Sequence, residues 1–166
     1  MALLEIRTII FSYVITNAIC LVVMALVWQR NRERFAGLGF WLANFACQLA
    51  AIVLVALRGI VPDLFSIVAS NSLAIGGALL LYMGLERFAG RRTSQVHNYV
   101  LLAGFIIVHS YFTFVQPSLL MRTLSLAAGI SLLCAQCAWL TISRVDADLQ
   151  PITRGVGYVF LTFTVF

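Results

Sequence analysis

His109 is the residue of this sequence best placed to do chemistry, because it is the ionisable side chain that lies clearly inside an apolar segment. Ionisable groups within membrane segments are costly and mark functional sites by default. Thr113 follows one helical turn later. A neutral imidazole here could contact a ligand or sense pH. It could equally hydrogen-bond to Asn71 or Gln48 and hold helices together.

Polar side chains on the neighbouring apolar segments point to a shared cavity. Trp41, Asn44 and Gln48 recur at spacings of three and four, so they share one helix face. The candidate ligand-binding residues are therefore Trp41, Asn44, Gln48, Asn71, His109 and Thr113. An apolar lining with a few polar groups suits a small amphipathic or lipid-like ligand. Ala46 and Ala50 on the same segment predict close packing against another helix.

A metal site is a weaker interpretation of the same region. Cys134 and Cys137 form a C-x-x-C step, and with His109 they could supply three ligands for a soft metal or a haem-like group. Small residues are frequent in membrane helices, however, and all four cysteines fall in apolar segments, where they pack as small hydrophobic side chains. We therefore expect no metal and no cofactor in this chain.

Other chemistry finds little support in the residues. The sequence lacks a phosphate-binding glycine loop, a nucleophile elbow and a zinc-protease helix. The six acidic residues lie at predicted helix ends and in loops, which argues against a proton-coupled relay. The net charge of +5 comes from arginines in loops between apolar segments, so membrane topology explains it better than nucleic-acid binding.

Composition identifies the elements that must position these groups. The chain is 62% hydrophobic and 10% charged, with a mean hydropathy of +1.00, whereas soluble domains carry about 25% charged residues. A membrane-spanning helix needs about 20 apolar residues. We predict an all-α polytopic transmembrane bundle with helices over 8–28, 37–57, 64–85, 99–115 and 119–142, and a partial sixth over 156–166.

The distribution of arginines predicts the orientation. Loops one, three and five carry eight arginines, whereas the N-terminus and loops two and four carry three, Arg7, Arg58 and Arg122. Cytoplasmic loops are enriched in Lys and Arg, so the N-terminus is predicted outside. The final run, 156–166, is too short to span a bilayer. We therefore expect residues 1–166 to be a membrane domain cut within helix six, from a protein of seven helices.

The segment from Trp28 to Arg92 resembles a membrane region found at the N-terminus of bacterial diguanylate cyclases, the proteins with a GGDEF domain, and of some sensor histidine kinases. An arginine-rich loop is followed by a series of short motifs that carry the resemblance. They are Ala36-Gly37-Leu38-Gly39-Phe40-Trp41, Leu57-Arg58, Pro62-Asp63, Ser66-Ile67, Ala69, Asn71, Gly76, Gly84-Leu85-Glu86-Arg87-Phe88 and Gly90-Arg91.

The resemblance implies a sensory input domain in the bacterial inner membrane that controls a cytoplasmic output domain. In the cyclase case the output would condense two GTP into cyclic di-GMP as a homodimer, with GTP and Mg²⁺ bound outside this chain. A histidine kinase output is the alternative. The residues themselves also leave open a small transporter or channel, or a plain anchor in contact with membrane lipids.

Overall fold

The computed structural model describes residues 2–145 and 150–165, with side chains placed for residues 8–145, 150 and 153–164. The described residues form six helices and no β-strand, and one isolated bridge joins Arg58 to Val61 in a connecting turn. The helices are α1 (Ala2–Asn31), α2 (Leu38–Ala56), α3 (Ser70–Phe88), α4 (Val96–Phe114), α5 (Leu119–Ser143) and α6 (Gln150–Val165).

Five helical segments are long and apolar enough to cross a membrane, as predicted. They are Thr8–Asn31, Leu38–Ala56, Leu64–Phe88, Val96–Phe114 and Leu119–Ser143. The sixth helix begins at Gln150 rather than at 156. Pro151 lies in its first turn, where a missing backbone N–H costs no helical hydrogen bond. Phe166, the last residue of the predicted run, lies outside the described residues.

The third and fourth helices extend further towards their connecting loop than predicted. α3 continues to Phe88 and ends in a Schellman turn at Gly90, whose φ of 70° suits a residue without a Cβ. The Gly90 amide donates to the carbonyl of Arg87 (3.1 Å) and the Arg91 amide to that of Glu86 (2.8 Å). Glu86 therefore lies in the last turn of α3, where this helix is still packed against its neighbours.

α3 is the central helix of the bundle, packed against α2 on one side and against α4 and α5 on the other. A π-helical segment, Leu64–Ala69, leads directly into it. The apolar core lies between α3, α4 and α5 and consists of Ile75, Leu79, Phe105 and Leu133. This arrangement brings polar residues of α3, α4 and α5 together at both ends of the core.

Candidate functional site

His109 is the centre of a hydrogen-bonded group at the end of the bundle that carries the α2–α3 and α4–α5 connections. It is only 1% exposed. The Asn71 amide nitrogen donates to His109 Nε2 (2.9 Å), so Nε2 acts as an acceptor and the ring proton lies on Nδ1. Nδ1 contacts the Ser125 hydroxyl (3.2 Å), which donates to the backbone carbonyl of Arg122 (2.8 Å). The imidazole is thus bonded as a neutral ring between α3 and α5.

Phe105 and Thr113 hold this histidine from its own helix. The Phe105 ring stacks on the imidazole with centroids 5.0 Å apart and planes 26° from parallel. The Thr113 hydroxyl donates to the backbone carbonyl of His109 (2.7 Å), so this predicted site residue is engaged with its own helix. Both contacts fix the ring in place, which favours a preorganised site.

A cavity of about 90 Å³ lies beside this histidine. Its polar lining comes from the α2–α3 connection, α3, α4 and α5, through Arg58, Asn71, His109, Arg122 and Thr123. Within the described part of the chain neither arginine forms an ion pair. The Arg122 Nε atom is buried and has no acceptor. We call Arg58, Asn71, His109, Arg122 and Ser125 the His109 cluster.

The three predicted residues on α2 lie at the α2–α3 interface instead of lining this cavity. Gln48 Nε2 donates to the backbone carbonyl of Ala74 (3.2 Å). A side chain at Gly77 would lie 3.1 Å from both Asn44 Oδ1 and Gln48 Nε2, and Trp41 packs directly over Gly84. The close approach of the two helices therefore depends on glycines of α3, whereas Ala46 and Ala50 are exposed. The structure brings Asn71 and His109 together, whereas the three predicted residues on α2 lie elsewhere.

A second, mostly apolar cavity of about 340 Å³ adjoins Trp41. Its walls come from α1, α2, α3, α5 and α6, and the lining residues are Met24, Trp41, Phe45, Leu81, Leu85, Phe88, Thr141, Thr153, Val156 and Phe160. Its size and character fit an acyl chain or another apolar group. Of the six predicted site residues, Trp41 contributes to this cavity.

A second polar group, which the sequence analysis missed, surrounds Glu86 at the opposite end of the bundle. Glu86 is 4% exposed, and its carboxylate accepts hydrogen bonds from Tyr82, Thr93 and Gln95. The network continues from Gln95 to Asn98 on α4 (2.8 Å) and from Asn98 to Gln136 on α5 (2.9 Å). We call Tyr82, Glu86, Thr93, Gln95, Asn98 and Gln136 the Glu86 cluster.

The sequence predicts the acidic residues at helix ends and in loops, and Glu86 lies at a helix end, but it is buried. A signal for this was present in the sequence, because three hydrogen-bonding residues, Thr93, Gln95 and Asn98, follow it closely. Among the described atoms of the Glu86 cluster, only Gln136 Oε1 is buried without a partner. Protein side chains therefore supply the hydrogen bonds of the Glu86 carboxylate, and a cavity of about 440 Å³ lies beside Tyr82 and Gln136.

The geometry separates the three side chains considered for a metal. His109 faces Ser125, which precedes Cys134 by nine residues, roughly 13 Å along a helix. Cys137 is buried in the packing of α5. Among the described residues, no group of three or more His, Cys, Asp or Glu side chains is placed to hold a metal ion.

No protein-family model, curated protein or solved structure matches this chain.

Proposed function

We propose that this chain is a membrane-embedded sensory input module that regulates a cytoplasmic diguanylate cyclase domain. One observation carries the proposal: α3, α4 and α5 are tied together by polar side chains at both of their ends. Asn71, His109 and Ser125 join them in the His109 cluster. Glu86, Asn98 and Gln136 join the same three helices in the Glu86 cluster, through Gln95.

Helices joined at both ends can transmit a change from one cluster to the other. A ligand shifts a conformational equilibrium only by its differential affinity for the two states. A ligand in the 90 Å³ cavity contacts the α2–α3 connection, α3, α4 and α5 at once. A change in their relative positions then reaches the Glu86 cluster, because each of α3, α4 and α5 contributes a side chain there.

The resemblance to the membrane regions of diguanylate cyclases supplies the choice of output domain. Two residues that carry it, Trp41 and Gly84, are in direct contact at the α2–α3 interface, and a third, Glu86, centres a cluster. In this proposal the intact protein is a homodimer with seven helices in the bacterial inner membrane. GTP and Mg²⁺ bind its output domain, in which two GTP molecules meet across the dimer.

The proposed orientation places the N-terminus and the His109 cluster outside and the Glu86 cluster at the cytoplasmic surface. The excess of arginines in loops one, three and five supports it. Proteolysis of the loop after Gly90 tests it in spheroplasts. Cleavage only after the membrane is permeabilised is expected, and cleavage in intact spheroplasts would contradict the orientation.

The functional test is the cyclic di-GMP content of cells that express the full-length protein. The combined substitutions Asn71→Ala and His109→Ala should change that content several-fold, because they remove the link between α3, α4 and α5. Thr16→Ala is the control, since the Thr16 hydroxyl bonds only to the carbonyl of Ser12 in its own helix.

Two results would overturn the proposal. An unchanged cyclic di-GMP content in the folded double variant would indicate a plain anchor. A coding sequence beyond Phe166 that contains a phospho-accepting histidine, in place of a Gly-Gly-Asp/Glu-Glu-Phe run, would assign the output to a histidine kinase.

A further inference from the structure

Two arginines from distant parts of the sequence line the same small cavity. Arg58 follows the end of α2, and Arg122 lies near the start of α5, 64 positions later. Arg58 is exposed and Arg122 is half-buried, so solvent partly screens the repulsion between them. In the described part of the chain no carboxylate pairs with either of them. The cavity therefore lacks the negative charge that would balance its two guanidinium groups.

The Arg122 side chain carries a donor that the protein does not satisfy. Its Nε atom is buried and has no acceptor, and a buried donor without a partner is unfavourable. The guanidinium group presents its N–H donors in a planar fork that matches carboxylate and phosphate oxygens. Arg122 also lines the cavity, so an acceptor bound there would lie beside its side chain.

The neighbouring imidazole does not compete for these donors. His109 Nε2 already accepts from Asn71, and Nδ1 is bonded to Ser125. Because both ring nitrogens are engaged, the imidazole offers the cavity no free acceptor. The arginines therefore remain the strongest hydrogen-bonding groups that face the space.

The size of the cavity restricts what it can hold. Pockets for drug-sized ligands have volumes of about 300–1,000 Å³, whereas this one has about 90 Å³. It accommodates one compact group rather than a whole amphipathic molecule. We propose that the His109 cluster binds a single oxyanion, the phosphate or carboxylate group of a free anion or of an anionic lipid.

This inference names the ligand class for the site of the proposed function, and it rests on that function only in treating the ligand as a signal. Binding itself requires no output domain. It is therefore measured on the membrane domain in lipid nanodiscs, separately from any cyclase activity.

The experiment compares arginines at the two ends of α5. Inorganic phosphate is titrated by calorimetry into nanodiscs of phosphatidylcholine that carry the wild-type chain, Arg122→Gln or Arg144→Gln. In a second arm, native mass spectrometry counts phosphatidylglycerol retained from mixed nanodiscs. Arg144 is the matched control, because its guanidinium lies over the Trp139 ring at the other end of the helix.

We expect Arg122→Gln to weaken binding of phosphate, phosphatidylglycerol or both by at least about tenfold, since it removes charge-assisted hydrogen bonds to the oxyanion. Arg144→Gln should stay within about twofold of wild type. Arg58→Gln, at an exposed position, should also weaken binding and guards against a misfolded Arg122 variant. Arg122→Lys should retain part of the affinity, because it keeps the charge but loses the fork.

The two arms identify the source of the oxyanion. Arginine-dependent binding of phosphate in phosphatidylcholine indicates a free anion, and arginine-dependent retention of phosphatidylglycerol alone indicates a lipid headgroup. The inference is overturned if neither ligand distinguishes the folded wild-type chain from Arg58→Gln and Arg122→Gln. Arginine-dependent binding with unchanged cyclic di-GMP in the same variants would instead overturn the proposed function and leave the oxyanion site standing.

Discussion

The Glu86 cluster and the His109 cluster join the same three helices but satisfy their polar groups differently. In the Glu86 cluster, side chains of the protein surround the carboxylate and supply its hydrogen bonds. In the His109 cluster, a cavity of about 90 Å³ remains and Arg122 Nε has no acceptor. Each cluster has one buried polar atom without a partner: in the Glu86 cluster it belongs to a neutral amide, Gln136 Oε1, and in the His109 cluster to a charged guanidinium, Arg122 Nε. Substitutions at the two ends should therefore have different consequences for stability.

The largest effect is expected from Glu86→Gln. Tyr82, Thr93 and Gln95 all donate to this carboxylate, so an amide nitrogen would face donors in place of an acceptor oxygen. We expect the free energy of unfolding, measured by detergent titration, to fall by about 3 kcal/mol. Glu33→Gln, at an exposed position in the α1–α2 turn, should change it by less than about 0.5 kcal/mol. Equal effects of the two substitutions would mean that the hydrogen bonds to the Glu86 carboxylate do not stabilise the fold.

The second-largest change in the free energy of unfolding is expected where α2 packs on α3 near the Glu86 cluster. A Cβ at Gly84 would overlap the indole of Trp41, whereas one at Gly76 would meet no atom within 4 Å. Gly84→Ala should lower the free energy of unfolding by about 2 kcal/mol through overpacking. Gly76→Ala should raise it by up to about 1 kcal/mol, because alanine favours a helix. Thermal unfolding in detergent measures both, and a stabilising Gly84→Ala would contradict the close contact.

A smaller change in the free energy of unfolding is expected in the His109 cluster from Ser125→Ala. This change removes the hydrogen-bonding partner of His109 Nδ1. Hydrogen bonds between membrane helices contribute about 0.6 kcal/mol on average and at most about 1.7 kcal/mol, so we expect a loss of about 1 kcal/mol. Thr123→Val is the control, because the Thr123 hydroxyl bonds to the Leu119 carbonyl of its own helix. Indistinguishable unfolding curves for the two variants would argue against the Ser125 bond.

The smallest effect on stability should come from Arg122→Gln in a non-ionic detergent and a buffer without phosphate or carboxylate. Because Nε has no acceptor in the protein, we expect a change of less than about 0.5 kcal/mol. Added phosphate should stabilise the wild-type chain and not the variant, since a ligand of the folded state stabilises it by mass action. A loss of stability as large as that of Glu86→Gln, measured by the same detergent titration, would mean that Arg122 stabilises the fold. The two clusters would then not differ in this respect.

The five helices that are long and apolar enough to span a membrane could be predicted from the sequence because their signal is local. Length and apolar content alone define a span, and neither depends on which helix lies next to it. The predicted end of the third helix, at residue 85, was wrong: α3 continues through Glu86 to Phe88, since polar residues do not stop a helix and the turn at Gly90 does. The pairing of His109 with Asn71 was one of two hydrogen bonds that the residues allowed, and the structure contains it.

The composition of each cluster was decided by the tertiary structure. Helical spacing put Trp41, Asn44 and Gln48 on one face, but the glycines of α3 determine that this face packs against α3 and not around His109. Arg58 and Arg122 are far apart in the sequence, and helix packing brings them to one end of the bundle and the Glu86 network to the other. Lipid is as apolar as the helix surfaces. Hydrophobicity therefore identifies a span but does not indicate which helices it packs against. The sequence by itself therefore determined the spans, and only helix packing determined which distant polar residues meet.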